Sequence, residues 1–172
     1  MQPTHSSRRI LLPARPWFIY LSLVVALALR YIPTGHFPLP DWVALVLIFW
    51  CIREPRRVGM FTGFVLGLLV DIGLGAAMGQ HALAYVVLAF IANALSRRAL
   101  WFGTLGQTVQ VLPMLLIAQL IMLAVRLIAG AEFPGWTYFL SSVTAAALWG
   151  PVSMLLLLPQ FQPTERDDNR PI

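Results

Sequence analysis

The sequence predicts an all-α integral membrane protein, folded as one bundle of six transmembrane helices. Two features of its composition support this prediction, because 59% of the 172 residues are hydrophobic and only 11% are charged. Soluble domains carry about 25% charged residues. A third feature is that the apolar residues form segments approaching the roughly 20 residues that a membrane helix needs. Such a chain leaves no room for a sizeable soluble domain.

Six apolar segments follow one another, at approximately residues 17–32, 39–52, 58–74, 81–95, 105–128 and 138–158. The second is short, so we expect it to lie where the bilayer is thin or to be partly re-entrant. Pro113 predicts a kink in the fifth segment, and Pro151 lies inside the sixth. The single transmembrane domain is predicted at 16–159, between polar, disordered tails at 1–15 and 160–172.

The arginines predict the orientation of the bundle. All 12 basic residues are arginines, and only Arg30 and Arg126 fall on the side opposite to the predicted tails. Because cytoplasmic segments are enriched in basic residues, both termini are predicted to be cytoplasmic. Arg30 and Arg126 are expected to extend outward to the membrane surface.

Asp71 is the most unusual polar residue, since a charge inside a membrane is costly and normally faces protein or a water-filled cavity. It continues a ladder with four-residue spacing, formed by Gly59, Gly63 and Gly67 and followed by Gly75. These positions share one helix face, and small residues allow another helix to approach closely. We expect this stripe to pack against a helix of the same chain or of a partner, with Asp71 fixing the register. Two plainer alternatives remain open: Asp71 is an inert, hydrogen-bonded carboxylate, and Gly75 ends the helix.

Two further polar residues, Asn93 and Gln119, lie within apolar segments and are expected to form hydrogen bonds between helices.

Several residues are predicted to be turns or interface anchors. Pro40 suits the first turn of a helix, and Trp42 and Trp50 suit the two membrane interfaces. Pro55 predicts a break in the chain between the second and third segments. Beside it, Arg56 and Arg57 set topology and are positioned to contact anionic headgroups.

The residues do not indicate an enzyme, a metal site or a cofactor. An intramembrane aspartyl protease needs two carboxylates at close range, and only Asp71 is clearly within a segment. The sequence has no Gly-x-Ser-Gly motif, and Cys51 is its single cysteine. No catalytic constellation follows from these residues.

The stretch from Pro40-Asp41-Trp42 to Trp50, then Pro55-Arg56-Arg57, then Gly63-Phe64-x-x-Gly67-x-x-x-Asp71 resembles the MreD family. These proteins are small membrane subunits of the bacterial rod-shape machinery, the elongasome. The resemblance implies a non-enzymatic scaffold of the inner membrane that binds MreC directly. It also implies a shared complex with MreB, RodA and a class B penicillin-binding transpeptidase, and a role in peptidoglycan synthesis and cell-shape maintenance.

The same resemblance implies a fold like that of the substrate-binding subunits of energy-coupling-factor transporters, with a cavity near Asp71 that seats part of MreC. Fold alone does not imply function. The alternative function is therefore a solute-binding membrane subunit of a transporter. A third is a lipid-handling protein, which would bind anionic headgroups at residues 53–57 or at Arg97 and Arg98.

Overall fold

A computed structural model describes residues 15–32 and 40–160 of the chain. Within these residues all regular structure is helical, which confirms the predicted fold class. The α-helices are α1 (Pro16–Arg30), α2 (Trp42–Arg53), α3 (Met60–Leu74), α4 (Gln80–Ala99), α5 (Thr104–Ile128), α6 (Leu140–Ala147) and α7 (Trp149–Leu157), with 3-10 turns at Trp136–Phe139 and Leu158–Gln160. The predicted tails, apart from residues 15 and 160, and the predicted start of the second segment at residue 39 lie outside the described residues.

The helices differ in whether they are long enough to cross a membrane. Helices α4 and α5, with 20 and 25 residues, are long and apolar enough, and the segment from Trp136 to Gln160 is a third span if its bent halves are counted together. Helices α1, α2 and α3 are apolar but shorter, with 15, 12 and 15 residues. The count of six spans therefore stays a prediction.

Helix α2 lies in the centre of the protein. Every residue from 43 to 52 is buried, and α2 packs against α1, α4, α6 and α7. A helix that is apolar on all sides is stable when protein surrounds it. At 1.5 Å per residue α2 is about 18 Å long, shorter than the roughly 30 Å hydrocarbon layer. So short an apolar helix is stable here because other helices of the protein surround it.

Helix α4 packs against three other helices, α2, α3 and α5. Its buried face carries small residues, including Ala82, Ala89 and Ala92, together with Tyr85. Small side chains allow neighbouring helix backbones to approach closely.

The sixth apolar segment, predicted as one span with Pro151 inside it, is broken into two helices. The halves Trp136–Ala147 and Trp149–Gln160 are bent by 41° relative to each other. Pro151 has no N–H to donate to the carbonyl of Ala147, and its ring crowds that carbonyl, so the helix bends just before it. Helix α5, in contrast, runs through Pro113 without interruption.

Short connections make successive helices antiparallel. Helices α1, α3 and α5 therefore end where α2, α4 and the Trp136–Phe139 turn begin. We call this the Asp71 end of the bundle. A hydrogen bond of 2.7 Å from the Tyr31 hydroxyl to the Leu69 carbonyl joins α1 to α3 there.

Candidate functional site

Asp71 caps the N-terminus of the next helix. Its carboxylate accepts hydrogen bonds from the backbone N–H groups of Gly79 and His81, both at 2.9 Å, and of Ala82 at 3.3 Å. The His81 Nδ1 atom lies 2.7 Å from one of its oxygens. Asp71 is only 1% exposed. An acidic group suits this position, because the first N–H groups of a helix have no partners within the helix and carry partial positive charge.

The chain between α3 and α4 is shaped by two glycines in the left-handed region. Gly75 ends α3 with φ of 61°, and Gly79 precedes α4 with φ of 92°. The Asp71 carbonyl also accepts the Ala76 N–H at 3.0 Å. Left-handed glycines commonly end helices. Gly75 therefore acts as a helix terminator, as one of the two sequence interpretations had it.

The glycine stripe (Gly59, Gly63 and Gly67) faces α4 of the same chain. A Cβ atom on Gly67 would lie 2.3 Å from the Ala82 Cα atom, and one on Gly63 would lie 2.7 Å from the Tyr85 carbonyl oxygen. Neither position has space for any side chain. The backbone of α4 occupies these two positions, so they do not offer a surface to another protein.

Asn93 and Gly59 meet at the opposite end of the same helix pair. A Cβ on Gly59 would lie 3.4 Å from the Asn93 Nδ2 atom. Asn93 is partly buried, and its Oδ1 atom has no hydrogen-bond partner within the described residues. The glycine stripe and Asp71 therefore lie in one interface, which runs along α3 and α4.

Gln119 connects α5 to the start of the broken span. Its Nε2 atom donates to the Tyr138 carbonyl at 2.5 Å and lies 2.7 Å from the Ser141 Oγ atom, and its Oε1 atom accepts from the Ser142 hydroxyl. Gln119 is buried, with 5% of its surface exposed. A buried amide that satisfies both its ends fixes the relative position of the two elements.

Asp41 caps α2 and accepts a hydrogen bond from a tyrosine hydroxyl of α4. Its Oδ1 atom accepts the Ala44 N–H at 3.1 Å, and the Tyr85 hydroxyl lies 2.9 Å from both carboxylate oxygens. Pro40, immediately before this cap, is buried, and Trp42, at the first helical position, is partly buried against the core. Asp41 is therefore the N-cap, and Pro40 lies one residue before it, just outside the first helical turn in which the sequence placed it.

The prediction that Trp50 anchors the protein at the membrane interface is wrong. Trp50 is 0% exposed, and its Nε1 atom donates to the Ser22 Oγ atom of α1 at 2.8 Å. Its ring packs edge-on against Phe18 and Phe49. Because α2 is enclosed, a tryptophan near its end meets protein instead of the interface.

Residues 54–59 interrupt the helices and contain Pro55, which was predicted to break the chain here, and Pro55, Arg56 and Arg57 are exposed. The Arg57 Nε atom lies 4.0 Å from a Glu54 carboxylate oxygen. An exposed pair at this distance contributes little to stability.

Two adjacent cavities open at the Asp71 end, with volumes of about 530 Å³ and 430 Å³. Arg30 and Tyr138 line both cavities, and Asp41 and Gln119 line the first. Arg30, which was expected to extend outward to the surface, is partly buried and lies in the walls of both cavities with its Nε atom buried. Sequence reasoning missed this role, although an arginine at the end of an apolar segment was a visible signal.

The described residues include no group of three His, Cys, Asp or Glu side chains placed to hold a metal ion. The buried polar groups instead cap helices and join them to one another. The fold and this site therefore define a helical membrane protein whose buried polar residues position its helices.

Comparison with known proteins identifies the particular family. The model of the family described as rod shape-determining protein MreD matches residues 8–158. A protein named rod shape-determining protein MreD, from Haemophilus influenzae (strain ATCC 51907 / DSM 11121 / KW20 / Rd), is 32% identical over 148 residues, which cover 81% of this chain and 89% of that protein. The chain belongs to the MreD family. No solved structure matches it, and the resemblance to energy-coupling-factor transporter subunits stays a prediction.

Proposed function

We propose that this protein is a non-enzymatic scaffold in the inner membrane that binds MreC and thereby supports peptidoglycan synthesis. Membership of a family of rod shape-determining proteins carries the proposal, since it assigns the chain a role in cell shape. The internal geometry is consistent with a scaffold, because its buried polar groups cap and join helices instead of converging on a reacting atom.

The proposal includes a shared complex with MreB, RodA and a class B penicillin-binding transpeptidase. It also includes a single domain of six spans at residues 16–159, with both termini in the cytoplasm. In this orientation the exposed turn with Arg56 and Arg57 faces the cytoplasm, and the Asp71 end faces outward.

The surface that binds MreC must differ from the glycine stripe, since the α4 backbone occupies Gly63 and Gly67. Exposed apolar side chains remain on other faces, including Val24 of α1, Phe61 of α3 and Val109 of α5. In a bilayer, helices associate through such faces by close packing and hydrogen bonds.

The test is co-purification with MreC from the same organism, with a photo-crosslinking residue placed in turn at the exposed positions 24, 61 and 109. The buried Leu47 is the matched control, because protein encloses it on all sides. We expect MreC to co-purify and to crosslink from at least one exposed position but not from Leu47. Failure of the wild-type protein to retain any MreC would overturn the proposal.

The solute-binding subunit of a transporter has one observation in its favour, namely the cavities at the Asp71 end. Family membership favours the scaffold over this alternative.

A further inference from the structure

Arg30 lies where the two cavities at the Asp71 end meet. The first cavity, of about 530 Å³, lies between α1, the start of α2, α5 and the beginning of the broken span, and the second, of about 430 Å³, lies beside the α3–α4 connection. Both include Arg30 in their walls. A group bound to Arg30 therefore has space on either side of it.

The Arg30 guanidinium has no partner within the described part of the chain. Its Nε atom is buried and makes no hydrogen bond there, and no ion pair to Arg30 is formed among the described residues. A buried donor atom of a charged group is unfavourable without an acceptor, so such groups normally bind an anion or are paired. The side chain is consequently available to an acceptor that the described residues do not supply.

Asp41, the acidic residue of the first cavity, attracts Arg30 electrostatically but forms no ion pair with it and accepts its hydrogen bonds from other donors. Asp41 accepts the Tyr85 hydroxyl through both oxygens and the Ala44 N–H through one of them. The second cavity adds another cation, Arg126. Two arginines against one carboxylate give the combined walls a net positive charge.

One part of the first cavity is apolar, with Leu115, Ala118 and Met122 of α5 and Ala145 of α6 in its wall, beside polar groups that include Gln119, Ser141 and Ser142. A guanidinium fork fits the oxygens of a phosphate, which it binds through two parallel hydrogen bonds. An apolar wall beside it suits a hydrocarbon chain. Both halves of an amphiphilic phosphate are thus accommodated.

We propose that Arg30 binds the phosphate group of an amphiphilic molecule whose apolar part lies in the first cavity. The site goes beyond the role in cell shape and needs no partner protein, so its failure leaves that role untouched. The phosphate comes either from a membrane lipid or from a soluble phosphate ester, and the experiment distinguishes these sources.

The test is native mass spectrometry of delipidated protein in non-ionic detergent with phosphatidic acid and with diacylglycerol of the same chains. We expect one phosphatidic acid per protein, held about tenfold or more tightly than diacylglycerol, since hydrogen bonds to charged groups are stronger than those between neutral groups. Arg30→Gln should abolish this preference. Arg97→Gln is the matched control, because Arg97 is an exposed arginine in the last turn of α4, at the other end of the bundle.

If glycerol phosphate or inorganic phosphate displaces the lipid, the natural ligand is a soluble phosphate ester. If neither displaces it, the natural ligand is a membrane lipid. The proposal is overturned if wild type shows no preference, if Arg30→Gln retains it, or if Arg97→Gln loses it equally. Should Arg30→Gln not fold, Arg30→Lys carries the test, since lysine keeps the charge but lacks the fork. A loss of about threefold or more, on the order expected for one hydrogen bond, supports the site, and any smaller loss overturns it.

Discussion

At the scale of single residues, the polar groups of this chain act mainly on helix ends. Asp71 caps α4 from the preceding helix, and Asp41 caps α2 while it holds the Tyr85 hydroxyl. A carboxylate in an apolar environment is costly unless several donors surround it. Each of these two has such donors, which explains how it is tolerated inside an apolar bundle.

Replacing Asp71 is expected to destabilise the isolated protein. Asp71→Ala leaves three backbone N–H groups and His81 without their acceptor, so the free energy of unfolding should fall by about 2 kcal/mol or more. Asp71→Asn keeps one acceptor oxygen and should lose less. Thermal unfolding in detergent, followed by circular dichroism, measures both. Equal stability of wild type and Asp71→Ala would show that the cap contributes nothing.

The sequence predicted part of this site and missed part of it. The four-residue spacing of the stripe and Asp71 correctly placed them on one helix face, because that spacing is a property of the helix itself. Which helix occupies that face is a long-range matter that periodicity does not encode. For the same reason the burial of Trp50 and the position of Arg30 emerged only from the packing of α2 and α1.

At the scale of elements, two pairs of helices are fixed by different means. Helices α3 and α4 are joined by backbone contact along the glycine stripe, whereas α5 is joined to the broken span through the hydrogen bonds of Gln119. The predicted elements had nearly the right positions. The break in the last segment could have been predicted from Pro151, which the sequence placed well inside an otherwise apolar run.

Removal of the Gln119 amide is expected to loosen α6. In Gln119→Leu, hydrogen exchange of the backbone N–H groups in Leu140–Ala147 should become about fivefold faster, because a hydrogen bond between membrane helices contributes about 1 kcal/mol. Gln110→Leu is the matched control on the same helix, since the Gln110 side chain makes no hydrogen bond within the described residues. Unchanged exchange in Gln119→Leu, or equal acceleration in both variants, would refute the role given to Gln119.

At the scale of the whole molecule, the short helix α2 is enclosed by longer elements, and the cavities lie at one end of the bundle. The composition predicted the membrane class and the helical fold. It could not fix the number of complete spans, because α1, α2 and α3 are apolar yet shorter than a typical membrane helix. The proposed orientation depends on the distribution of arginines alone.

The orientation is tested with single cysteines and a membrane-impermeant maleimide on spheroplasts. Wild type is a suitable background, because Cys51 is buried. The exposed Ala131, at the Asp71 end, should be labelled from outside as Ala131→Cys, whereas Arg56→Cys should react only after the membrane is permeabilised. The reverse pattern would contradict the proposed cytoplasmic termini.

The central claim is that the glycine stripe joins α3 to α4 within this chain and is not a docking surface. Thermal unfolding of Gly67→Ala, measured without any partner, tests it most directly. Gly150→Ala is the matched control, since its Cβ would meet an ordinary contact at 3.7 Å, whereas a Cβ on Gly67 would lie 2.3 Å from the Ala82 Cα atom. We expect Gly67→Ala to lose about 1–3 kcal/mol of stability, the usual cost of overpacking, and Gly150→Ala to lose none. If Gly67→Ala unfolds at the wild-type temperature but no longer retains MreC, the stripe is a partner surface and the claim is wrong.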